Sequence, residues 1–71
     1  MTTATALKQS LATATNTSRS HFDLYTNLGM ALEVANRRKA SIAVLVENGY
    51  IAVTTRANGE KLQALGYELA A

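Results

Sequence analysis

The residues of this chain best suited to chemistry are its cations. Arg37, Arg38 and Lys39 form an uninterrupted basic run, and Arg56 and Lys61 follow later in the sequence. Guanidinium and ammonium groups bind carboxylates and phosphates through charge-assisted hydrogen bonds. If the fold brings the later pair beside the run, these five residues form a basic patch that contacts either an acidic protein surface or a phosphate backbone. The alternative is that they are solvated charges at the end of a helix.

The sequence lacks the constellations that catalysis requires. His21 is the only imidazole and Cys is absent, so neither a zinc site nor a cysteine nucleophile can be assembled. Carboxylates occur singly, at Asp23, Glu33, Glu47, Glu60 and Glu68. The serines lack a nucleophile-elbow motif, and the glycines are too far apart to form a phosphate-binding loop. We therefore predict a protein that is not an enzyme and that uses neither a metal nor a cofactor.

One aromatic residue is a candidate for the binding surface. Tyr50 follows a predicted turn, and Tyr is enriched among the residues that dominate interface energetics. The alternative is that Tyr50 packs against a side chain on the neighbouring strand. The predicted partner-binding residues are thus Arg37, Arg38, Lys39, Arg56, Lys61 and Tyr50.

Length and charge limit the kind of protein that this chain can be. The 71 residues are enough for one small domain, with a formal net charge of +2 that permits nucleic-acid contact without requiring it. The first twenty residues show no secretory signal. The longest charge-free apolar stretch, residues 40–46, is far shorter than a bilayer requires. We expect a cytoplasmic protein that has no membrane partner.

The N-terminal segment, residues 1–17, is rich in Thr and Ala. Small apolar residues and leucines recur in it at helical spacing, namely Ala4, Leu7, Leu11 and Ala14. Thr3 could cap the start of such a helix. Because Thr has a poor helix propensity, the segment is either a helix packed on the domain or a flexible arm. Residues 18–71 form the predicted core domain.

A helix is predicted over residues 20–36. Ser20 and Asp23 have the spacing of a capping box, and apolar residues then follow one face, at Leu24, Leu28, Ala31, Leu32 and Ala35. Gly29 lies inside this pattern, where it costs helix stability. Its presence therefore predicts a close approach by another element.

Residues 44–53, VLVENGYIAV, predict a β-hairpin. Asn48 and Gly49 suit the two central positions of a type I′ turn. That turn would pair Val46 with Ile51, Val44 with Val53 and Ile42 with Thr55, so that one face carries Ile42, Val44, Val46, Ile51 and Val53. The alternative is a helix over residues 38–47 that ends at Gly49. β-branched residues lose rotamer freedom in a helix, which favours the hairpin.

The C-terminal segment predicts a short helix. Leu62 and Leu65 lie three residues apart, Thr55 or Asn58 can cap the start, and Gly66 can end it. A lone hairpin is unstable in water, so helices must cover it. The predicted fold is a small single α+β domain, with helices packed on one face of an antiparallel hairpin in the order α-α-β-β-α. Arg56 then falls close to Ser41 and the basic run.

Residues 45–66, LVENGYIAVTTRANGEKLQALG, resemble the C-terminal half of a winged-helix domain. In that family a helix ends at a Gly, an aromatic-Ile pair opens a strand, and a helix closing on Leu-Gly follows. The resemblance implies a recognition helix over residues 40–48 and a DNA-binding transcription regulator.

In its length and composition the chain resembles small phage-encoded regulators. These are short, Cys-free, single-domain proteins that bind host machinery such as RNA polymerase. The resemblance implies a non-enzymatic regulatory or inhibitory protein that covers a surface of a larger assembly, most naturally bacterial transcription machinery. The second hypothesis is that the protein is a winged-helix regulator that contacts DNA through the basic patch. Self-association through an exposed hairpin edge is the third.

Overall fold

The computed structural model describes residues 4–70 and has an α+β fold, as predicted. Its elements in chain order are α1 (Ala4–Thr15), β1 (Asp23–Tyr25), α2 (Leu28–Arg37), β2 (Ser41–Leu45), β3 (Ile51–Thr55), α3 (Arg56–Ala64) and β4 (Glu68–Leu69). Short 3-10 turns occupy Arg19–His21 and Glu47–Gly49. The predicted order α-α-β-β-α omitted β1 and β4, so the observed order within the described residues is α-β-α-β-β-α-β.

The predicted hairpin lies at the centre of a larger sheet. The strand order is β1-β3-β2-β4, and every neighbouring pair is antiparallel. The alternative of a helix over residues 38–47 is therefore wrong, because Ser41–Leu45 is a strand. Each hairpin strand has a neighbour on both sides, although β4 pairs with only part of β2. The edges of the sheet are the short strands β1 and β4.

The turn of the hairpin has the predicted chemistry. Asn48 has φ 58° and ψ 30°, Gly49 has φ 77°, and the Tyr50 N–H donates to the Glu47 carbonyl at 3.1 Å. These values are those of a type I′ turn, whose left-handed backbone Asn and Gly tolerate best. The local sequence therefore predicted the position and kind of the turn.

The strand register next to that turn differs from the prediction by one residue. The Val46 N–H donates to the Tyr50 carbonyl at 3.0 Å, so Val46 and Glu47 both lie opposite Tyr50 as a β-bulge. As a result Ala43 pairs with Val53, where Val44 was predicted. A shift of one residue moves the side chains of one strand to the other face relative to its partner.

This register makes both faces of the hairpin apolar. Val44 and Ala52 lie in the core under α1 and α3, whereas Ala43, Ile51 and Val53 lie in a second core under α2. The prediction that all helices pack on one face of the sheet is therefore wrong. An apolar face must be buried against another element, and two such faces require helices on both sides.

Helix α1 is part of the first core. Leu7 and Leu11 are 1% and 0% exposed, respectively, and they pack with Phe22 and Leu62. Ala14 is exposed, and Thr15 is buried instead, where its hydroxyl donates to the Leu11 carbonyl at 2.9 Å. The predicted cap, Thr3, lies outside the described residues.

The helix predicted over residues 20–36 is shorter than expected. Residues 23–25 form β1, which pairs with β3, and α2 begins only after Asn27, whose side chain accepts from the Met30 N–H at 3.0 Å. The predicted capping box of Ser20 and Asp23 is thus wrong. Pairing with β3 satisfies the backbone groups of this segment that face that strand, and Leu24 packs against the first core.

The close approach predicted at Gly29 occurs at Gly59 instead. A Cβ on Gly29 would meet only the Asn27 side chain, at 3.3 Å. A Cβ on Gly59 would lie 2.1 Å from Ile42 Cδ1, so α3 sits directly on β2 at this residue. Thr55 caps α3 as predicted, because its hydroxyl accepts from the Asn58 N–H at 3.2 Å.

We predict that Gly59→Ala lowers the free energy of unfolding. Overpacking against Ile42 costs roughly 1–3 kcal/mol, which exceeds the helix-propensity gain of up to about 1 kcal/mol. Denaturant unfolding of the wild type and the variant measures the difference. The same substitution should cost less in an Ile42→Val background, because Ile42 Cδ1 is then missing.

Gly29→Ala is the matched control, since its new Cβ displaces no other element. It should cost less stability than Gly59→Ala does, because its new Cβ meets only the Asn27 side chain, at 3.3 Å, and Ala has the higher helix propensity. Equal stability of the two alanine variants would contradict the close packing of α3 on β2.

Candidate binding surface

Four of the six predicted site residues lie together at one end of the domain. Arg37, Arg38 and Lys39 occupy the end of α2 and the turn that follows it. Arg56 begins α3, and its N–H donates to the Ala40 carbonyl at 2.8 Å. We call Arg37, Arg38, Lys39 and Arg56 the basic end. It forms despite the register shift, because Thr55 moves only from its predicted partner Ile42 to Ser41, at the same end of the hairpin.

Two cations of the basic end are already paired with carboxylates. Arg37 forms an ion pair with Glu33 on the same helix, and Arg38 forms one with Asp23 on β1. The hydrogen bond from Arg38 to Asp23, together with the charge of that carboxylate, raises the pKa of Arg38 above its usual value. The second pair joins α2 to the edge strand of the sheet. These two arginines are therefore partly engaged in holding the fold.

The other two cations remain available. Within the described range of residues 4–70, neither an ion pair nor a side-chain hydrogen bond engages Lys39 or Arg56. An unpaired cation gains most from a new anionic partner, because it has no existing pair to break. Lys39 and Arg56 are thus the strongest candidates at the basic end.

A groove of about 210 Å³ begins at Arg56 and runs between α2 and the edge of β2. Its lining combines apolar and polar side chains, namely Leu32, Ala35, Asn36, Ser41, Ile42, Ala43, Arg56 and Leu69. We call it the edge groove. It can accept an apolar side chain while Arg56 holds an anionic group beside it.

The edge groove exists because β4 covers only part of β2. Leu69 pairs with Val44, and the Ala70 N–H donates to the Ala43 carbonyl at 2.9 Å. Within the described residues this pairing ends at Ala43, so the first two residues of β2 face the groove. A two-residue edge strand therefore leaves room beside Ser41 and Ile42.

Lys61 lies apart from the basic end. Its Nζ donates to the Thr15 carbonyl at 3.1 Å, at the C-terminus of α1, where a cation complements the helix dipole. Five residues along a helix correspond to a rotation of about 140°, so the spacing from Arg56 already indicates a different side of α3. The patch predicted from five cations is therefore a group of four.

Tyr50 also lies apart from the basic end. Its side chain is half-buried and packs against the first core. This position agrees with the alternative stated for Tyr50, in which its side chain packs within the fold.

Sequence reasoning missed the apolar part of the edge groove. Leu32 and Asn36 are four residues apart and share a face of α2, and this spacing can be recognised in the sequence. Leu69 could not be placed without knowing that β4 pairs with β2. The groove thus combines one local pattern with one long-range contact.

Comparisons with protein-family models, with curated proteins and with solved structures find no match for this chain. Among residues 4–70, no group of three His, Cys, Asp or Glu side chains is arranged to hold a metal ion. In that same part of the chain, the helices are all too short or too polar to cross a membrane.

We predict that Arg38→Gln loosens β1, because it removes the ion pair that fastens this strand to α2. Hydrogen exchange of the β1 amides should become faster. Arg37→Gln is the control, since its partner lies on the same helix and β1 should keep its protection. High salt should reduce the difference between the two variants. Equal exchange in both would show that the pair between α2 and β1 does not hold the strand.

Proposed function

We propose that this chain is a small non-enzymatic regulatory protein that acts by binding a larger protein assembly. The observation that supports the proposal is the pair of unpaired cations at the basic end, Lys39 and Arg56, of which Arg56 lines the edge groove. An acidic segment of a partner fits this arrangement. Its carboxylate would bind the Arg56 guanidinium, and a neighbouring apolar side chain would enter the groove between Leu32 and Ile42.

The size of the groove favours a protein partner over a small molecule. At about 210 Å³ it is smaller than the roughly 300–1,000 Å³ typical of small-molecule sites. A stable protein interface buries roughly 800 Å² on each partner. The protein exposes 4395 Å² in all, so such an interface would occupy close to a fifth of its surface. The partner would therefore extend well beyond the groove and contact the whole basic end.

Bacterial transcription machinery is the first assembly to test. The reason is the resemblance to phage-encoded regulators that bind host RNA polymerase. A domain of this size would act by steric exclusion: it would cover a surface that DNA, a sigma factor or another subunit requires. Such a mechanism uses binding alone and needs no catalytic group.

Duplex DNA is the second candidate partner, favoured by the clustering of Lys39 and Arg56 at the basic end. The recognition helix that the winged-helix resemblance implies for residues 40–48 is replaced by β2 and the turn. DNA binding would therefore depend on phosphate contacts, which carry little sequence information.

The first experiment measures the affinity of purified bacterial RNA polymerase, as core and as holoenzyme, for the immobilised protein. We predict saturable binding to one of the two forms, weakened by at least about tenfold in Lys39→Glu/Arg56→Glu, because charge reversal removes both available cations. Lys8→Glu/Arg19→Glu is the charge-matched control and should bind like the wild type.

Absence of binding to both forms of the polymerase would remove transcription machinery as the partner. If stoichiometric capture from a bacterial lysate were then also insensitive to the Lys39→Glu/Arg56→Glu change, the proposed binding surface would be wrong.

The DNA alternative makes a separate prediction. If the basic end binds duplex DNA, the logarithm of the affinity should fall linearly with the logarithm of the salt concentration, with a slope between about −2 and −4 for two to four phosphate contacts. Arg56→Gln should reduce the slope by about one. A titration at low salt that shows no binding would eliminate this alternative.

A further inference from the structure

We propose that a second site, a cleft between α1 and the turn at residues 18–20, binds a phosphate group. The cleft has a volume of about 380 Å³ and is thus larger than the edge groove. Five of the described residues line it: Thr5 and Lys8 from α1, and Ser18, Arg19 and Ser20 from the turn. It shares no residue with the basic end.

Every side chain that lines the cleft can donate a hydrogen bond. Three are hydroxyls, and the other two are the Lys8 ammonium and the Arg19 guanidinium. Among residues 4–70, this lining includes neither a carboxylate nor a purely apolar side chain. A phosphate group presents several acceptor oxygens to such a set of donors, and its negative charge complements the two cations.

The two cations of the cleft are not neutralised by the protein. Residues 1–22 contain no Asp or Glu, since Asp23 is the first acidic residue of the sequence. In the described part of the chain, Lys8 and Arg19 take part in no ion pair and no side-chain hydrogen bond. Arg37 and Arg38 differ in this respect, because each has a carboxylate partner. The positive charge of the cleft can therefore attract an anionic ligand.

Both walls of the cleft are held by the core beneath them. Leu7, next to Lys8, is 1% exposed, and Phe22, just after the turn, is also 1% exposed. The turn is further fixed by a hydrogen bond of 3.1 Å between the Ser18 and Ser20 hydroxyls. Walls that are already in place reduce the entropy lost when a ligand binds.

The volume of the cleft indicates how large the phosphate compound can be. About 380 Å³ lies at the low end of the range for small-molecule sites, so the cleft can hold a phosphate group with part of its carrier. A free mononucleotide and the end or backbone of a nucleic-acid strand both present that chemistry. Experiment can separate these two carriers.

The test is a titration of the full chain at constant ionic strength with inorganic phosphate, a mononucleotide and a short single-stranded oligonucleotide, followed by amide chemical shifts. We expect saturable shifts centred on Thr5, Ser18 and Ser20. Lys8→Gln and Arg19→Gln should each weaken binding by about tenfold. Lys61→Gln is the matched control, because it removes one cation that lines neither the cleft nor the basic end, and its affinity should equal that of the wild type.

The carriers are distinguished by the order of affinities. A mononucleotide that binds more tightly than inorganic phosphate, with no further gain for the oligonucleotide, identifies a free nucleotide. A further gain for the oligonucleotide identifies a nucleic-acid strand. Shifts that do not saturate, that chloride reproduces at the same concentration, or that persist unchanged in Lys8→Gln/Arg19→Gln would overturn the proposal. The dispersion of the amide spectrum verifies that each variant is folded.

Discussion

The extra residue at the hairpin turn determines how the rest of the domain is arranged. Because Val46 and Glu47 both lie opposite Tyr50, the large β-branched residues of β2 and those of β3 point to opposite faces of the sheet. Each face then presents apolar side chains to be buried. Helices α1 and α3 cover one face, and α2 covers the other. Without the bulge, one face would carry nearly all the large side chains, and a single layer of helices would be enough.

Three layers in so short a chain require close packing. Helix α2 contacts the sheet through Ala31 and Ala35, and α3 sits on β2 through Gly59, so small residues bring both helices near the strands. A chain of this length also leaves few residues for the edge strands: β1 has three residues and β4 has two. Short edges protect the sheet from pairing with other chains, but they also leave part of β2 uncovered, and that gap forms the edge groove.

Features with a local cause could be predicted from the sequence, and features with a long-range cause could not. Asn48 and Gly49 determine a turn by their own backbone preferences, and Thr55 caps α3 through a neighbour three residues away. In contrast, Leu24 suits a helix and a strand equally well, and only pairing with β3 decides between them. The same holds for β4, whose two residues carry no periodicity. The basic end forms when the end of β3 lies beside the end of α2. Both the predicted and the observed strand register place it there.

The net charge of +2 conceals how the charges are distributed. Two of the seven cations are paired with carboxylates, and Lys61 is bound to a backbone carbonyl. The four that remain are two pairs in different places: Lys39 with Arg56 at the basic end, where Arg56 lines the edge groove, and Lys8 with Arg19 in the cleft of α1. The edge groove and the cleft share none of the described residues that line them. The protein partner that we propose for the basic end and the phosphate group that we propose for the cleft would therefore contact different side chains of a domain of only 71 residues.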